Sequence, residues 1–467
     1  MAATLTPLIY EEHCSVLADW IDRGFHGKTL VYVDAHLDLQ FIREERMQKL
    51  RAAATRDEIT ALEKTNHLLP DGDFVYGIEN FLYAASQLGV IDRLIWVSPP
   101  HVDIRLSPQV LDYVQQIDGV TFEELTSIRK TADSCYEATL LGLDITFCGV
   151  DGLERLSIPE DSLVDIDTDF FVAIPADRAW LHPRELHAAI AASVPSPAMI
   201  SIARSVSSGF MPLRYRYFAD YFAALFTANA EQSSHYAKLF DIEHGNYDEA
   251  ARIAAIKNES CVFPDCPATL YLRDRLLAVP EPHVAAGSLC AAYAYDPVRI
   301  ASAVVNRFLA LDKSRIDKLR AELTTDSSAE ANIALGLAYA KRGAVPEALA
   351  CYSEYGQPHP RLALEIGGLL AVQGDAGQRR QLLEVAASED ACMSSALLQL
   401  AYIAISNGEL AEARQLSEQV QSLAPAWMEP LGRLAWLHEQ DGLNTGTNQY
   451  REEFEARSAA LQRLLAD

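Results

Sequence analysis

At 467 residues the chain is too long for one ordinary hydrophobic core, so two or three domains are expected. Hydrophobic residues at 49% and charged residues at 22% are the balance of a soluble globular protein, and no apolar run approaches the ~20 residues of a membrane span. Lys and Arg total 39 against 65 Asp and Glu, a formal net charge of −26, which argues against nucleic acid as a partner and suits a cationic substrate; acidity for solubility alone is the competing reading.

The start of the chain, MAATLTPLIYEEHC, lacks the basic opening and long apolar core of a signal peptide. The eight cysteines include no C-x-x-C pair, and Cys261 and Cys266, the nearest two, have no His or Cys set close by in sequence to complete a zinc pattern. Reduced thiols and a cytoplasmic location are therefore expected.

Taken in order, Pro7-Leu8-Ile9-Tyr10-Glu11-Glu12-His13 reads as a short strand ending in two carboxylates and a histidine. A helix follows, with Val16, Leu17, Trp20 and Ile21 at helical spacing. Leu30-Val31-Tyr32-Val33 reads as a buried strand, and beyond it come Asp34, His36 and Asp38 at spacing two. In an extended chain these three side chains share one side. Burying them together is costly unless a cation neutralises them; a solvated turn is the alternative.

Residues 41–65 are charged, helix-prone and expected at the surface, with loop and turn signals at Asn66-His67 and Pro70-Asp71-Gly72-Asp73. A helix opens near Gly77-Ile78-Glu79-Asn80, and Leu94–Ser98 reads as strand. The alternation continues with a helix at Val110–Ile117, a short apolar stretch at Ala138–Leu143, a strand at Ser162–Asp167, a helix at Leu186–Ala192 and a strand at Ala198–Ala203. Such alternation predicts a mainly parallel sheet covered on both faces, with ligands at the carboxyl ends of its strands. Residues 214–245 read as helix with an aromatic core-facing start, and 257–296, with Pro264, Pro267, Pro280 and Pro282, as irregular.

From about residue 297 helix follows helix. Gly336, Tyr339, Gly343, Ala348, Tyr352 and Pro360 match the small, aromatic and proline positions of a tetratricopeptide repeat. Gly408 and Gly442 stand one ~34-residue period apart, and Gly367 and Gly374 mark a weaker copy between. A generic helical bundle is the competing reading; stacked helix pairs would form a groove for peptide or protein. The expected division is an α/β domain at 1–295 and a helical repeat domain at 296–467.

A second acidic cluster, Asp165-Ile166-Asp167-Thr168-Asp169-Phe170-Phe171, places three carboxylates at spacing two at another strand end. They repel one another unless a cation intervenes. Carboxylate and imidazole donors without thiolate favour Mn²⁺ or a similar ion over structural zinc.

With Glu12-His13, Asp34-Ala35-His36-Leu37-Asp38 and Asp165-Ile166-Asp167-Thr168-Asp169-Phe170-Phe171 together, the region 7–215 resembles the arginase/agmatinase/deacetylase superfamily. It is most similar to the arginase-like family containing the peptide arginases, which convert arginine side chains of peptides to ornithine. The resemblance implies a three-layer α/β arginase-like fold and two Mn²⁺ ions held by His13, Asp34, His36, Asp38, Asp167 and Asp169. An alternative register puts Asp165 and Asp167 in the last two places. The reaction implied is attack of a metal-activated water on the guanidinium carbon, with collapse to urea and a primary amine. His67 and His101 are the candidate proton donors. Glu79 and Asn80 are the candidate partners for a guanidinium, with helix capping as their competing role.

Two departures matter. Small-molecule arginases carry a Glu on the last core strand, near which this chain has Arg204; an Arg pointing inward there would repel a guanidinium. The loop through Ser208-Gly209-Phe210 also resembles deacetylases, which keeps hydrolysis of acetyl-lysine as an alternative. A third reading is a non-catalytic scaffold that displays the repeats to a peptide or protein. The expected partner is an arginine-containing peptide or protein, with the repeat domain holding it or a second protein.

Overall fold

A computed structural model of the chain describes residues 5–64, 66–102, 106–132, 135–173, 178–277, 329–373, 376–440 and 448–466. The apolar runs form strands β1 (Leu8–Tyr10), β2 (Lys28–Val33), β3 (Ile91–Val97), β4 (Arg129–Ala132), β5 (Cys135–Leu140), β6 (Leu143–Cys148), β7 (Leu163–Asp167), β8 (Val172–Ala173), β9 (Arg178–Ala179) and β10 (Met199–Ala203). Eight of them make one sheet in the order β1-β10-β7-β2-β3-β6-β5-β4, while β8 and β9 pair separately. From β1 to β6 all pairings are parallel, and β5 and β4 add an antiparallel edge. Alternation along β2 divides the interior. Leu30 and Tyr32 enter the core containing Trp20 and Phe81, whereas Val31 and Val33 enter the one containing Phe171, Phe218 and Phe222. Helices cover both faces, as expected of a largely parallel sheet.

One expectation is filled in and one corrected. The short apolar stretch Ala138–Leu143 is the end of a hairpin: Leu141 and Gly142, both at positive φ (53° and 76°), turn β5 into β6. The prolines of 257–277 flank helices and do not break them. The helix Glu249–Val262 ends before Pro264, and Pro267 opens the helix Pro267–Leu277, where a missing N–H costs nothing. The remainder of that segment, the expected domain boundary at 295/296, and the repeat positions Gly374 and Gly442 lie outside the described residues.

The C-terminal part is all helical: Ala329–Lys341, Val345–Tyr355, Pro360–Gln373, Ala376–Ala386, Asp390–Ser406, Leu410–Leu423, Met428–Gln440 and Gln449–Ala466. Each helix packs on the next across most of this series, and Pro360–Gln373 also packs on Ala329–Lys341 and Asp390–Ser406. A Cβ on Gly336 would stand 2.7 Å from Leu362 Cδ2 and 3.2 Å from Cys351 Cβ, so the first helices approach closely only with glycine there. This part is docked on the sheet domain. Leu68 enters its core beside Leu362 and Ile366, Leu461 and Leu464 pack on the Trp20 side of the sheet, and Ala426 N–H donates to Val120 O at 3.0 Å. The helices Glu44–Ala52 and Arg56–Ala61, expected at the surface, each turn one side into the Trp20 core, where Met47, Leu50 and Ile59 are buried, and Arg46 of the first also reaches Asp390 of the helical region. No helix among the described residues is long and apolar enough to cross a membrane.

Candidate metal centre

Because β2 and β7 are parallel neighbours, with Tyr32 opposite Asp165 and Val33 opposite Ile166, their ends bring Asp34 and Asp167 side by side. β1 lies at the sheet edge beyond β10, and the short 3₁₀ turn after it, His13–Ser15, carries the buried His13 over the same face. The extended geometry expected of Asp34, His36 and Asp38 does not persist, since β2 ends at Val33. Asp38 instead adopts a left-handed backbone (φ 46°), which turns its carboxylate back toward Asp34. Asp169 likewise belongs to a 3₁₀ turn, Thr168–Phe171, whose first N–H groups include Asp169 N donating to Asp167 Oδ1 at 3.0 Å.

Donor atoms of His13, Asp34 and Asp38 all lie within 4.8 Å of one another, and so do those of Asp34, His36 and Asp169. Asp34 belongs to both groups. Its Oδ2 is 3.3 Å from His13 Nδ1, and its Oδ1 is 3.5 Å from His36 Nδ1. His36 Nδ1 is 3.0 Å from Asp169 Oδ2, and Asp167 Oδ2 lies 3.7 Å from His13 Nδ1. The Tyr32 hydroxyl ties the first group together, at 2.5 Å from Asp34, 2.6 Å from Asp38 and 2.9 Å from His13 Nδ1. Ser205, also at positive φ, donates to Asp167 Oδ2 at 2.6 Å.

Protons are shared unevenly in this cluster. Burial and then the Asp34 charge push Asp38 up to about 7, and burial with Asp169 and Asp34 raises Asp167 well above the carboxylate range. Asp34 is lowered: burial opposes its charge, but hydrogen bonds from His13 and His36 outweigh it. The two imidazoles are raised despite burial by the surrounding carboxylates. Four carboxyl groups balanced by two imidazoles form a donor set that suits divalent cations bound through oxygen and nitrogen.

Asp165 and Asp167 both lie outside these two groups, but Asp167 borders the first, through His13, and Asp165 does not. Asp165 is the deeper of the two. It sits two residues further back on β7, receives a hydrogen bond from Ser201 Oγ, and is raised to about 7 by burial. His67 is buried, and burial together with Arg361 and Lys64 lowers it to about 3, so its ring is uncharged at neutral pH. His101, in the turn after β3, is exposed, with Asp169 and His36 as its charged neighbours. Glu79 and Asn80 line a shallow cleft with His67, Arg46, Lys64 and Asp71. Asn80 Oδ1 accepts Gly77 N–H at 2.9 Å, which closes the turn before the helix Phe81–Gln87, and Glu79 Oε1 lies 3.3 Å from Arg361 Nη1. The Phe210 ring touches both His36 and His67, at centroid distances of 4.8 and 5.5 Å, and so joins the cleft to the cluster. The Arg204 guanidinium is engaged by Asp220 of the helix Tyr217–Phe226 at 2.9 Å.

Sequence reasoning missed Tyr32, Ser205 and Phe210. The last two belong to a loop held by the N-terminal carboxylates, with Ser207 N–H donating to Glu11 at 3.1 Å and Ser208 N–H to Glu12 at 2.8 Å. Nothing in the local sequence marks these residues. Tyr32 alone had a signal, since it precedes Asp34 by two positions and shares its face. Neither a family model nor a curated protein matches this chain.

Proposed function

We propose that the protein is a cytoplasmic binuclear metallohydrolase of the arginase-like kind, acting on the guanidine C–N bond of arginine side chains in a peptide or protein, with ornithine and urea as products. The observation that carries this reading is the pair of ligand groups sharing Asp34 at the carboxyl ends of adjacent parallel strands. Two bound divalent cations, Mn²⁺ by the hardness of the donors, would supply a water activated as a nucleophile at neutral pH. His13, Asp34, Asp38 and Asp167 would hold one ion, and Asp34, His36, Asp167 and Asp169 the other, with Asp165 supporting from behind.

Glu79 binds the substrate guanidinium in this scheme, a reading supported by its present pairing with the Arg361 guanidinium. His101 exchanges protons with solvent and delivers one to the leaving nitrogen. His67, uncharged, offers hydrogen bonds without repelling a cationic substrate. The Arg204–Asp220 pair removes the repulsion that an inward arginine would cause. The helical region, read as a tetratricopeptide-like solenoid, holds the peptide beside the cleft, where it already contributes Arg361.

The test is incubation of full-length protein with Mn²⁺ and arginine-containing peptides. A mass loss of about 42 per modified side chain, with one urea released for each, supports the reading. Turnover of acetyl-lysine peptides instead identifies an amidohydrolase. Retention of peptides with no turnover of either identifies a scaffold.

A further inference from the structure

A second group of reactive side chains lies among the helices on the opposite face of the sheet from the Tyr32 hydroxyl. His235, on the helix Ala230–His244, is 3% exposed. Its Nδ1 stands 2.7 Å from Glu259 Oε1 on Glu249–Val262, and its Nε2 stands 3.4 Å from Cys266 Sγ and 2.9 Å from Thr269 Oγ1. The ring is clamped by Phe263, stacked at 3.8 Å. Cys266 is half-buried and immediately precedes the 11-residue helix Pro267–Leu277. The sequence placed no histidine near this cysteine; the fold supplies one from 31 residues away.

The charge logic runs through three helices. Glu259 is buried, and its basic partners are the His235 ring and Lys238 Nζ at 3.6 Å. A carboxylate against Nδ1 favours the doubly protonated ring, which then presents Nε2–H to the sulfur. Thr269 adds hydrogen bonds to the sulfur, and the free N–H groups and dipole of a helix start favour an anion. Tyr236 is a further titratable neighbour of the sulfur. Burial pushes the Cys266 thiol up, but His235 and Thr269 outweigh it and the net displacement is downward. His235 is correspondingly raised despite burial, by Cys266 and Glu259. A thiolate in this setting, on a half-buried residue beside a positioned imidazolium that can supply a proton, is nucleophilic rather than a mere helix cap.

We propose that Cys266 is a reactive thiolate, activated by the His235–Glu259 pair, and that it is the site at which hydroperoxides modify this protein. The sulfur attacks one peroxide oxygen, so an S–O bond forms as the O–O bond breaks. Sulfur is oxidised to a sulfenic acid and the peroxide is reduced; the departing hydroxide or alkoxide takes the Nε2 proton of His235 and leaves as water or alcohol.

The test uses the full chain and its own exposed Cys261 as the internal reference. Iodoacetamide labelling is followed by peptide mass spectrometry from pH 5 to 9. Cys266 is expected to label ~10-fold faster than Cys261 at pH 6, with the advantage shrinking as pH rises. After hydrogen peroxide, a 1,3-dicarbonyl probe for sulfenic acid is expected on Cys266. His235→Gln, checked for folding by circular dichroism, should remove both the low-pH advantage and the adduct. Should that variant not fold, the wild-type pH profile decides by itself. Cys266 labelling slower than Cys261 at every pH, or no sulfenic adduct on it, would overturn the proposal.

Discussion

Carboxylates cluster both at the strand ends and where the helical region docks, and the company they keep differs. At the ends of β2 and β7, Asp34, Asp38, Asp167 and Asp169 crowd together with His13 and His36 as their basic neighbours. Where the helical region docks, Asp71, Glu79, Glu389 and Asp390 meet Arg43, Arg46, Lys64 and Arg361. Arg46 Nη1 is 2.5 Å from Asp71 and 3.0 Å from Asp390, Lys64 Nζ is 2.8 Å from Asp71, and Arg43 pairs with Asp390. Protonation follows the partner. Against burial, Lys64 and Arg46 hold Asp71 below the usual carboxylate range, while Asp38 is pushed up to about 7. Permanent cations complete a seam; imidazoles leave a site that a dissociable cation can complete. Acidic residues therefore do not by themselves mark the candidate centre. What marks it is that the described residues place no Lys or Arg in salt-bridge contact with those four carboxylates.

The largest effect that would break this comparison comes from Asp34, shared by both ligand groups. Asp34→Asn is expected to cut affinity for both ions, and turnover with it, by more than ~100-fold, since even partners of ligands cost ~10–100-fold. Retention of both ions in this variant would contradict the shared role. Replacing one carboxylate in each place should then move stability in opposite directions. Asp71→Asn leaves Arg46 and Lys64 with one carboxylate fewer and should lower Tm, by ~1–2 kcal/mol of stability for a part-buried, charge-assisted contact. Asp38→Asn should raise the Tm of metal-free protein at pH 8. A carboxyl raised in the folded state costs stability as pH climbs from its unfolded value of 3.8 past the folded value of about 7, and asparagine tolerates the left-handed backbone. Equal signs in thermal unfolding would break the comparison.

Smaller effects sharpen it. Glu79→Gln should raise KM for arginine peptides about tenfold with metal content unchanged, the worth of one charge-assisted hydrogen bond. Steady-state kinetics beside elemental analysis reads both, and lost metal would move Glu79 into the centre. The smallest is a pH slope. His67 has a folded value of about 3 against 6.5 unfolded, so the unfolded chain alone takes up a proton as pH falls through 6.5, and stability drops until about pH 3. His67→Asn should flatten the fall in Tm between pH 6.5 and 4.5; an unchanged slope would place the acid sensitivity elsewhere.

Much of the centre was legible because strand alternation puts Asp34 on one face and Asp167 beside it, and the carboxylate spacing is visible in any reading. Which of Asp165, Asp167 and Asp169 face the centre was not legible. It depends on β7 ending at Asp167 and a 3₁₀ turn delivering Asp169, a boundary that periodicity does not set. The antiparallel edge was missed because the Leu141-Gly142 turn lacks the Asn or Asp that usually announces such a hairpin. The docking seam was invisible for a different reason: Glu79 and Arg361 are 282 residues apart, and no local pattern encodes such a pair.

The most direct measurement is anomalous diffraction from crystals of the full chain grown with manganese. Two peaks about 3.5–4 Å apart, flanking the Asp34 carboxylate with His13 beside one and His36 beside the other, are the expected result. A single peak, or manganese bound away from Asp34, would contradict a binuclear centre and the hydrolase built on it.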